Sequence, residues 1–190
     1  MRRPVALACL VGLTACAPVA SPPGHEVPVT ALAGVDGRSY DLSAVSRGAR
    51  ATVVTFFSSS CPCQRAHDGR LRELHERYAP RGVAFLAVDS EADASVERDA
   101  AEAKQRGYRF PLVVDRDGRV ARALGAEYAT YTVIVDQRGA VRYRGGLDSD
   151  MHVLRDDARF WTRDALDRIL AGDAPDPAET KALGCALRER

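Results

Sequence analysis

The sequence predicts one α/β domain built on a mixed sheet, with helices on both faces. Two apolar runs, Ala51–Phe57 and Val83–Val88, lack strict alternation, as expected of strands that are buried on both faces. Helical patterns separate the strand-like segments, and a hairpin pattern followed by a last helix ends the series. We therefore expect parallel and antiparallel strands within a single sheet.

The predicted elements follow from local signals along the chain. Asp36-Gly37 is typical of a tight turn between two hairpin strands. Pro80 and Gly82 end the long helix that follows the first buried run. The predicted elements are strands 27–32, 39–42 and 51–57, helix 62–78, strand 83–88, helix 95–105, strand 110–114, helix 119–124, strands 131–135 and 140–144, and helix 155–170.

The charge of the chain argues against a nucleic-acid partner. The 190 residues include 27 cationic and 26 acidic side chains, which gives a net charge of +1. The two signs are finely mixed along the chain, and no basic block stands out. We therefore expect no binding of nucleic acid.

The first residues have the pattern of a lipoprotein signal peptide. Arg2 and Arg3 precede an apolar run far shorter than the ~20 residues of a membrane-spanning helix. The segment Leu13-Thr14-Ala15-Cys16 resembles a lipobox, in which the peptide is cut before the cysteine and the cysteine is acylated. An ordinary signal peptide, cut near Ala17 or Ala20, is the alternative.

This interpretation divides the chain into four parts. Residues 1–15 form the signal peptide, and residues 16–26 form a lipidated, proline-rich tether. Residues 27–172 form the domain, and residues 173–190 form the tail, which carries the last cysteine. Several acyl chains on Cys16 would anchor the protein stably. We expect it in the bacterial cell envelope, at the outer membrane and facing the periplasm.

Three thiols remain in the mature chain: Cys61, Cys63 and Cys185. Disulfides persist in the extracytoplasmic compartments to which such a signal directs a protein. An odd number of thiols means that one is free, that one pairs between molecules, or that all three bind a metal ion.

The segment FFSSSCPCQRAH places two of these thiols where a strand meets a helix. Pro62 suits the first helical turn, so we expect Cys61 at the N-cap. Free amide donors and the helix dipole there favour a thiolate and lower the pKa of Cys61. At ~100° per residue, Cys63 and His67 share the apolar stripe of the helix. Cys61 should thus be exposed at the cap, and Cys63 should turn inward.

Two histidines have alternative roles. His67 is either a core residue hydrogen-bonded to the backbone or a base or co-ligand for Cys63, four residues earlier. His152 lies in a loop that should return toward Cys61. It is either a solvated residue or a base or ligand at the site.

Several further segments share one family pattern. They are the Asp-Gly hairpin, FFSSS before a Cys-Pro helix start, VAFLAVD, FPLVVDRDGRVARALGA, VIVDQRGAVRYRG and, in the tail, TKALGCAL. Together they resemble the thioredoxin-fold redoxin proteins of the AhpC/TSA type, and the tail resembles the Gly-Cys tail of one redoxin subgroup. The resemblance implies a thioredoxin-like three-layer sandwich with thiol chemistry at Cys61.

The sequence departs from this pattern at three positions. Gln64 stands where thioredoxins carry the second cysteine of Cys-x-x-Cys. Val54 stands where peroxiredoxins carry a proline, although Ser58 matches their hydroxyl position, and this lowers the expected rate of peroxide reduction. Thr130 occupies the position of the usual cis-proline that faces the nucleophile. Loss of that proline can open the site to other ligands, including a metal ion.

These observations predict a membrane-anchored thiol–disulfide oxidoreductase or weak peroxidase that needs no cofactor. Cys61 attacks a protein or small-molecule disulfide, or a peroxide, and Cys63 or Cys185 resolves the product. The expected catalytic residues are Cys61, Cys63, Cys185 and Thr130, with Ser58 and His67 in support.

A copper or zinc carrier is the alternative function. Its ligands would be Cys61 and Cys63, completed by His67, His152 or Cys185, because thiolate sites suit Cu(I) and Zn. A third interpretation is a fold without redox activity that binds a partner through its tail.

Overall fold

The computed structural model describes residues 27, 28 and 30–188 and joins seven strands in one sheet. The strands are β1 (Ala31–Gly34), β2 (Ser39–Asp41), β3 (Ala51–Phe57), β4 (Val83–Asp89), β5 (Leu112–Val114), β6 (Thr132–Asp136) and β7 (Val141–Gly145). The helices are α1 (Leu42–Arg47), α2 (Pro62–Tyr78), α3 (Val96–Gln105), α4 (Arg119–Leu124) and α5 (Trp161–Ala171), with a 3-10 turn at Ala79–Arg81.

The sheet is mixed, with the strand order β2-β1-β5-β4-β3-β6-β7. β3, β4 and β5 are parallel, whereas β6 pairs with β3, β7 with β6, and β1 with both β5 and β2 in antiparallel fashion. The carboxyl ends of the parallel strands therefore share one edge of the sheet with the start of β6 and the end of β7. Functional sites of open α/β sheets form at such an edge.

Helices cover both faces of the sheet, because β3 sends alternate side chains to opposite sides. Val53 and Phe57 belong to a core cluster that includes residues of α2, α3 and α5. Val54 and Phe56 belong to a second cluster that includes residues of α1 and α4. This arrangement confirms the predicted mixed sheet with helices on both faces.

The start of α2 is as predicted. Cys61 is the N-cap residue and Pro62 lies in the first turn. The Gln64 N–H donates to Cys61 Sγ at 3.4 Å. After the 3-10 turn that follows α2, Gly82 has a φ of 84°, which glycine adopts without strain. The first thiol thus lies directly after the carboxyl end of β3.

The last helix begins later than the sequence predicts, at Trp161 rather than at Arg155. The Arg155 N–H donates to the Asp150 carboxylate at 2.8 Å, and the Ser149 N–H donates to the Arg159 carbonyl at 2.9 Å. These contacts hold the preceding residues as a loop, so the predicted start was wrong by about one and a half turns.

Two differences occur near the first hairpin. The sequence does not predict α1, which Asp41 caps by accepting a hydrogen bond from the Ala44 N–H at 3.0 Å. The first strand begins at Ala31 rather than at Val27. Val27 lies apart from β1, and its N–H donates to the Gly139 carbonyl at 3.5 Å.

The tail, described as far as residue 188, crosses the sheet at the carboxyl ends of its parallel strands. It first runs along β7, where the Thr180 N–H donates to the Arg144 carbonyl at 3.0 Å and the Arg144 N–H donates to the Ala178 carbonyl at 3.1 Å. It then reaches the segment before β6, where the Ala129 N–H donates to the Cys185 carbonyl at 2.9 Å. These contacts bring the last cysteine to the end of β3.

The expected signal peptide, the lipidated Cys16 and the tether lie outside the described residues. Among the helices that are described, none has the length and apolar character needed to cross a membrane.

Candidate functional site

Three sulfur atoms meet at the carboxyl edge of the sheet. Cys61 and Cys185, 124 positions apart in the sequence, form a disulfide with their Cα atoms 5.8 Å apart. Cys63 is a free, buried thiol. The three Sγ atoms all lie within 4.8 Å of one another. The structure therefore brings together the three thiols that the sequence analysis selects.

Cys61 is buried, contrary to the expectation that it is exposed at the helix cap. Only 1% of its surface is accessible. Cys61 clusters with Ala129, and Cys185 and Leu187 of the tail pack against this cluster. Cys63 turns inward as predicted, with 6% of its surface exposed. The tail thus closes the site while the disulfide is present.

Thr130 belongs to the segment that faces the tail. Its φ of 73° lies in the left-handed region, which is unfavourable for a β-branched residue. Its N–H donates to the Phe56 carbonyl at 2.8 Å, and its Oγ1 donates to the Leu183 carbonyl at 3.0 Å. Neighbouring Ala129 packs against the sulfur atoms. The position that the resemblance selects therefore lies at the site and binds the tail.

His67 is buried beside Cys63 but is not aimed at its sulfur. Its Nδ1 lies 2.7 Å from the Cys63 carbonyl oxygen, and its Nε2 lies 3.1 Å from Asp148 Oδ1. Both partners are acceptors, so an imidazolium that donates from both nitrogens satisfies them. These contacts give His67 the geometry of a core residue and leave no ring nitrogen for a metal ion.

Opposing effects set the ionisation of this pair. Burial disfavours the charged form of His67, but its hydrogen bonds to Asp148 and to the Cys63 carbonyl outweigh burial and raise its pKa. Burial also disfavours the Asp148 carboxylate, but hydrogen bonds from His67 and the Asp150 N–H lower its pKa. Arg70 lies 2.8 Å from the same carboxylate. The result is a buried ionic network between α2 and the loop after β7.

The other two predicted polar residues have different surroundings. Ser58 is buried, its carbonyl accepts the Cys61 N–H at 3.4 Å, and its hydroxyl lies 3.3 Å from Ser60 Oγ. His152 is exposed. Among the described residues, the potential metal ligands that meet at this site are the three cysteines, and His152 is not one of them. The loop that carries it directs Asp148 inward instead. Sequence reasoning missed Asp148, because its segment resembles an ordinary solvent-exposed loop.

The end of the tail forms an ion pair that the sequence does not reveal. The Arg188 guanidinium lies 3.1 Å from the Glu91 carboxylate, 3.7 Å from Asp93 and 3.2 Å from Ser60 Oγ. Glu91 is only 2% exposed. Arg188 therefore supplies the positive charge that a nearly buried carboxylate requires.

The strand order, the cysteine at the start of α2 and the clustered thiols define a thioredoxin-like domain with a cysteine site. The family model described as Redoxin matches residues 22–158, and the chain belongs to this family. The predicted thioredoxin-like fold and redoxin resemblance are thereby confirmed.

Individual proteins and solved structures are also similar to this chain. The thiol-disulfide oxidoreductase ResA of Geobacillus thermodenitrificans is 31% identical over 121 residues, which cover 63% of this chain and 66%, just under two thirds, of the relative. An uncharacterized conserved protein from Geobacillus kaustophilus has a similar structure, with a TM-score of 0.80 and 30% identity over 90% of this chain and 94% of that chain. A hypothetical protein from Sinorhizobium meliloti also gives a TM-score of 0.80, with 26% identity over 90% of this chain and 96% of that chain.

Proposed function

We propose that the protein is a thiol–disulfide oxidoreductase in which Cys61 is the nucleophile and Cys185 is the resolving thiol. One observation carries the proposal: Cys61 and Cys185 are joined as a disulfide, with the free thiol of Cys63 within 4.8 Å. The reaction named for the Geobacillus thermodenitrificans relative supports the same class of chemistry.

The proposed reaction needs only the thiols of this chain. The Cys61 thiolate attacks one sulfur of a substrate disulfide, and the other substrate sulfur leaves as a thiolate. The Cys185 thiolate then attacks Cys61 Sγ and releases the second substrate thiol, which leaves the disulfide described above. Two protein thiols are oxidised and one substrate disulfide is reduced. The N-cap position and the Gln64 N–H favour the attacking thiolate.

Peroxide is a second substrate class within this proposal. Cys61 would be oxidised to a sulfenic acid with release of water, and Cys185 would condense with it, releasing a second water and forming the same disulfide. Val54, where peroxiredoxins carry a proline, is a buried core residue of β3. We therefore expect disulfides to react faster than peroxide.

We also propose that the mature protein is anchored through Cys16 and acts in the cell envelope. The lipobox-like segment supports this location, and an oxidising compartment suits a protein whose thiols cycle through a disulfide. Metabolic labelling with a fatty acid should mark the wild-type protein. Equal labelling of a Cys16→Ser variant would contradict the anchor.

Redox titration of the full chain tests the proposed reaction. The protein is reduced, transferred to glutathione buffers of graded potential, and mapped for disulfides by mass spectrometry. We expect a Cys61–Cys185 bond in the wild type and in Cys63→Ser, the matched control. Cys61→Ser should lose its reaction with glutathione disulfide. An unchanged reaction in that variant, or a Cys61–Cys63 bond as the final product, would contradict the assigned roles.

Copper binding is a second candidate function, because reduction would leave three thiols within 4.8 Å as a soft ligand set. The two histidines that the sequence analysis considers as further ligands do not support this ligand set. Both His67 nitrogens are engaged in hydrogen bonds, and His152 is exposed. Competition of the reduced protein with a chromogenic Cu(I) chelator provides the test. A carrier should bind one equivalent and lose it in Cys63→Ser, which should keep its reaction with glutathione disulfide because Cys185 resolves that product.

A further inference from the structure

The tail pairs with residues 127–130 through main-chain hydrogen bonds, as two antiparallel strands do. The Ala129 N–H donates to the Cys185 carbonyl at 2.9 Å, and the Leu187 N–H donates to the Glu127 carbonyl at 2.9 Å. An antiparallel bridge is centred between these two bonds. We propose, on the basis of the function proposed above, that this segment and Glu91 bind the substrate as an extended cysteine peptide. The tail occupies this site as an internal stand-in for the substrate.

The main-chain contacts explain how a peptide is positioned. They use N–H and carbonyl groups, so they are open to any extended chain, whereas side-chain pockets supply the selectivity. In this register the cysteine of the bound segment lies against Cys61, as Cys185 does in the structure. The site would thus present a substrate sulfur to the nucleophile.

Gly184 gives the first element of selectivity, at the residue before the cysteine. A Cβ atom at Gly184 would overlap the carbonyl oxygen of Ala129 and lie 3.1 Å from Thr130 Oγ1. Gly184 does not have a positive φ, so the requirement for glycine here is one of space. The main-chain oxygen cannot move aside as a flexible side chain would. A substrate peptide should therefore carry glycine immediately before its cysteine.

Leu187 gives the second element, two residues after the cysteine. It packs against the cluster of Cys61, Cys63 and Ala129 and against the core beneath α4. An open surface depression of about 390 Å³, lined by both apolar and charged residues, lies next to Leu187 along the segment from Ala121 to Glu127. An apolar side chain of this size or larger fits at this position.

Arg188 gives the third element, three residues after the cysteine. Its guanidinium lies 3.1 Å from the nearly buried Glu91 carboxylate, and its carbonyl accepts the Ala92 N–H at 2.8 Å. A buried carboxylate is costly without a cation, so the site should favour a basic residue here. The recognised peptide therefore has the form Gly-Cys-x-apolar-basic.

Occupation of the site by a peptide assigns a role to Cys63. The Cys61 thiolate attacks the peptide sulfur, and the former partner of that sulfur leaves as a thiolate. While the peptide occupies the site the tail is displaced, so Cys63, fixed on α2, is the thiol within reach. Its thiolate attacks Cys61 Sγ and releases the peptide as a thiol. When the tail returns, Cys185 attacks Cys61 Sγ, releases Cys63 and restores the observed bond.

The test uses the reduced full chain and synthetic peptides of sequence Leu-Gly-Cys-Ala-Leu-Arg, blocked at both ends. The cysteine is presented as a mixed disulfide with thionitrobenzoate, whose release is coloured. Replacing the peptide glycine with alanine should slow release about tenfold or more, since the added methyl group overlaps main-chain atoms. Replacing the peptide arginine with glutamine should slow the wild type but not Glu91→Gln.

The same glycine-to-alanine change, made in the protein's own tail, should raise the rate of reaction with the peptide instead of lowering it. Gly184→Ala would weaken docking of the tail, an intramolecular competitor with a high effective concentration. The glycine peptide should therefore react faster with Gly184→Ala than with the wild type. In a Cys63→Ser/Cys185→Ser protein, the peptide should remain trapped on Cys61 and be identified there by mass spectrometry.

The outcomes separate the two proposals. Release from a small disulfide of thionitrobenzoate and cysteamine reports the thiol chemistry alone. If the small disulfide does not react, the proposed function fails, and the peptide site fails with it. If the small disulfide reacts but the glycine and alanine peptides react equally, the peptide site is refuted and the thiol function stands. Equal rates in the wild type and Gly184→Ala would refute the tail as a stand-in.

Discussion

His67 shows how a residue's role depends on a distant partner. Its position on the helix, four residues after Cys63, left open a role as a base for that thiol. Asp148 decides the question, because its carboxylate accepts a hydrogen bond from Nε2. The two residues are 81 positions apart, and no local pattern predicts that they meet. His67 therefore links α2 to the loop after β7, and neither of its ring nitrogens is left to act on the Cys63 thiol.

Replacing Asp148 with asparagine should remove the pH dependence that this pair gives to stability. Because the pKa of His67 is raised in the fold, its charge stabilises fully below its unfolded pKa of about 6.5, and this contribution is lost as the pH rises through the folded pKa. We expect Asp148→Asn to lower the free energy of unfolding by about 3–5 kcal/mol under mildly acidic conditions and by less in alkali. Urea denaturation across this range measures both values.

The comparison requires the difference between the two proteins at each pH. Burial raises the pKa of Asp89 to about 8, so its ionisation also lowers stability as the pH rises. This second effect is common to both proteins and cancels in the difference. Asp157→Asn is the matched control, because the Asp157 side chain is 84% exposed. A constant difference between the wild type and Asp148→Asn would refute the role of the charged pair.

At the scale of elements, sequence signals are reliable where they are local. β3 is an apolar run buried along its whole length. Pro62 marks the start of α2, and Gly82 follows its end. The start of α5 was not predictable, because it depends on how Asp150 holds the preceding loop. The course of the tail was equally hidden, since its partners on Ala129 are main-chain atoms, which residue type does not reveal.

Gly69 offers a test of how α2 is packed. Glycine in a helix is less favourable than alanine, and a Cβ atom here would meet only Arg72 Nη2, at 3.9 Å. We expect Gly69→Ala to raise the free energy of unfolding by about 0.5–1 kcal/mol in urea denaturation. Gly82→Ala is the matched control and should destabilise by about 1 kcal/mol or more, because its φ is 84°. A loss of stability in Gly69→Ala would show that this face of the helix is more crowded than the structure indicates.

At the scale of the whole molecule, the site is assembled from segments that lie far apart in the described chain. The Redoxin match ends at residue 158, so Cys185 reaches the site from beyond the matched segment. Counting cysteines could reduce the intramolecular disulfides to three pairings among Cys61, Cys63 and Cys185. It could not choose among them, because the choice depends on the path of the tail over β7 and the segment before β6. For the same reason the sequence predicted that Cys61 is exposed, whereas the structure buries it beneath the tail.

The Cys61–Cys185 bond should stabilise the molecule as well as take part in its chemistry. It links positions 124 residues apart and thus restricts the unfolded chain. We expect reduction to lower the free energy of unfolding of the wild type by about 2–4 kcal/mol. Cys63→Ser should show the same loss, whereas Cys63→Ser/Cys185→Ser, which can form neither this bond nor one between Cys61 and Cys63, should be insensitive to the reductant. Urea denaturation with and without reductant measures the effect, and mass spectrometry verifies the state of the bond. Equal stability of the oxidised and reduced wild type would contradict the expected contribution of the Cys61–Cys185 bond to the stability of the fold.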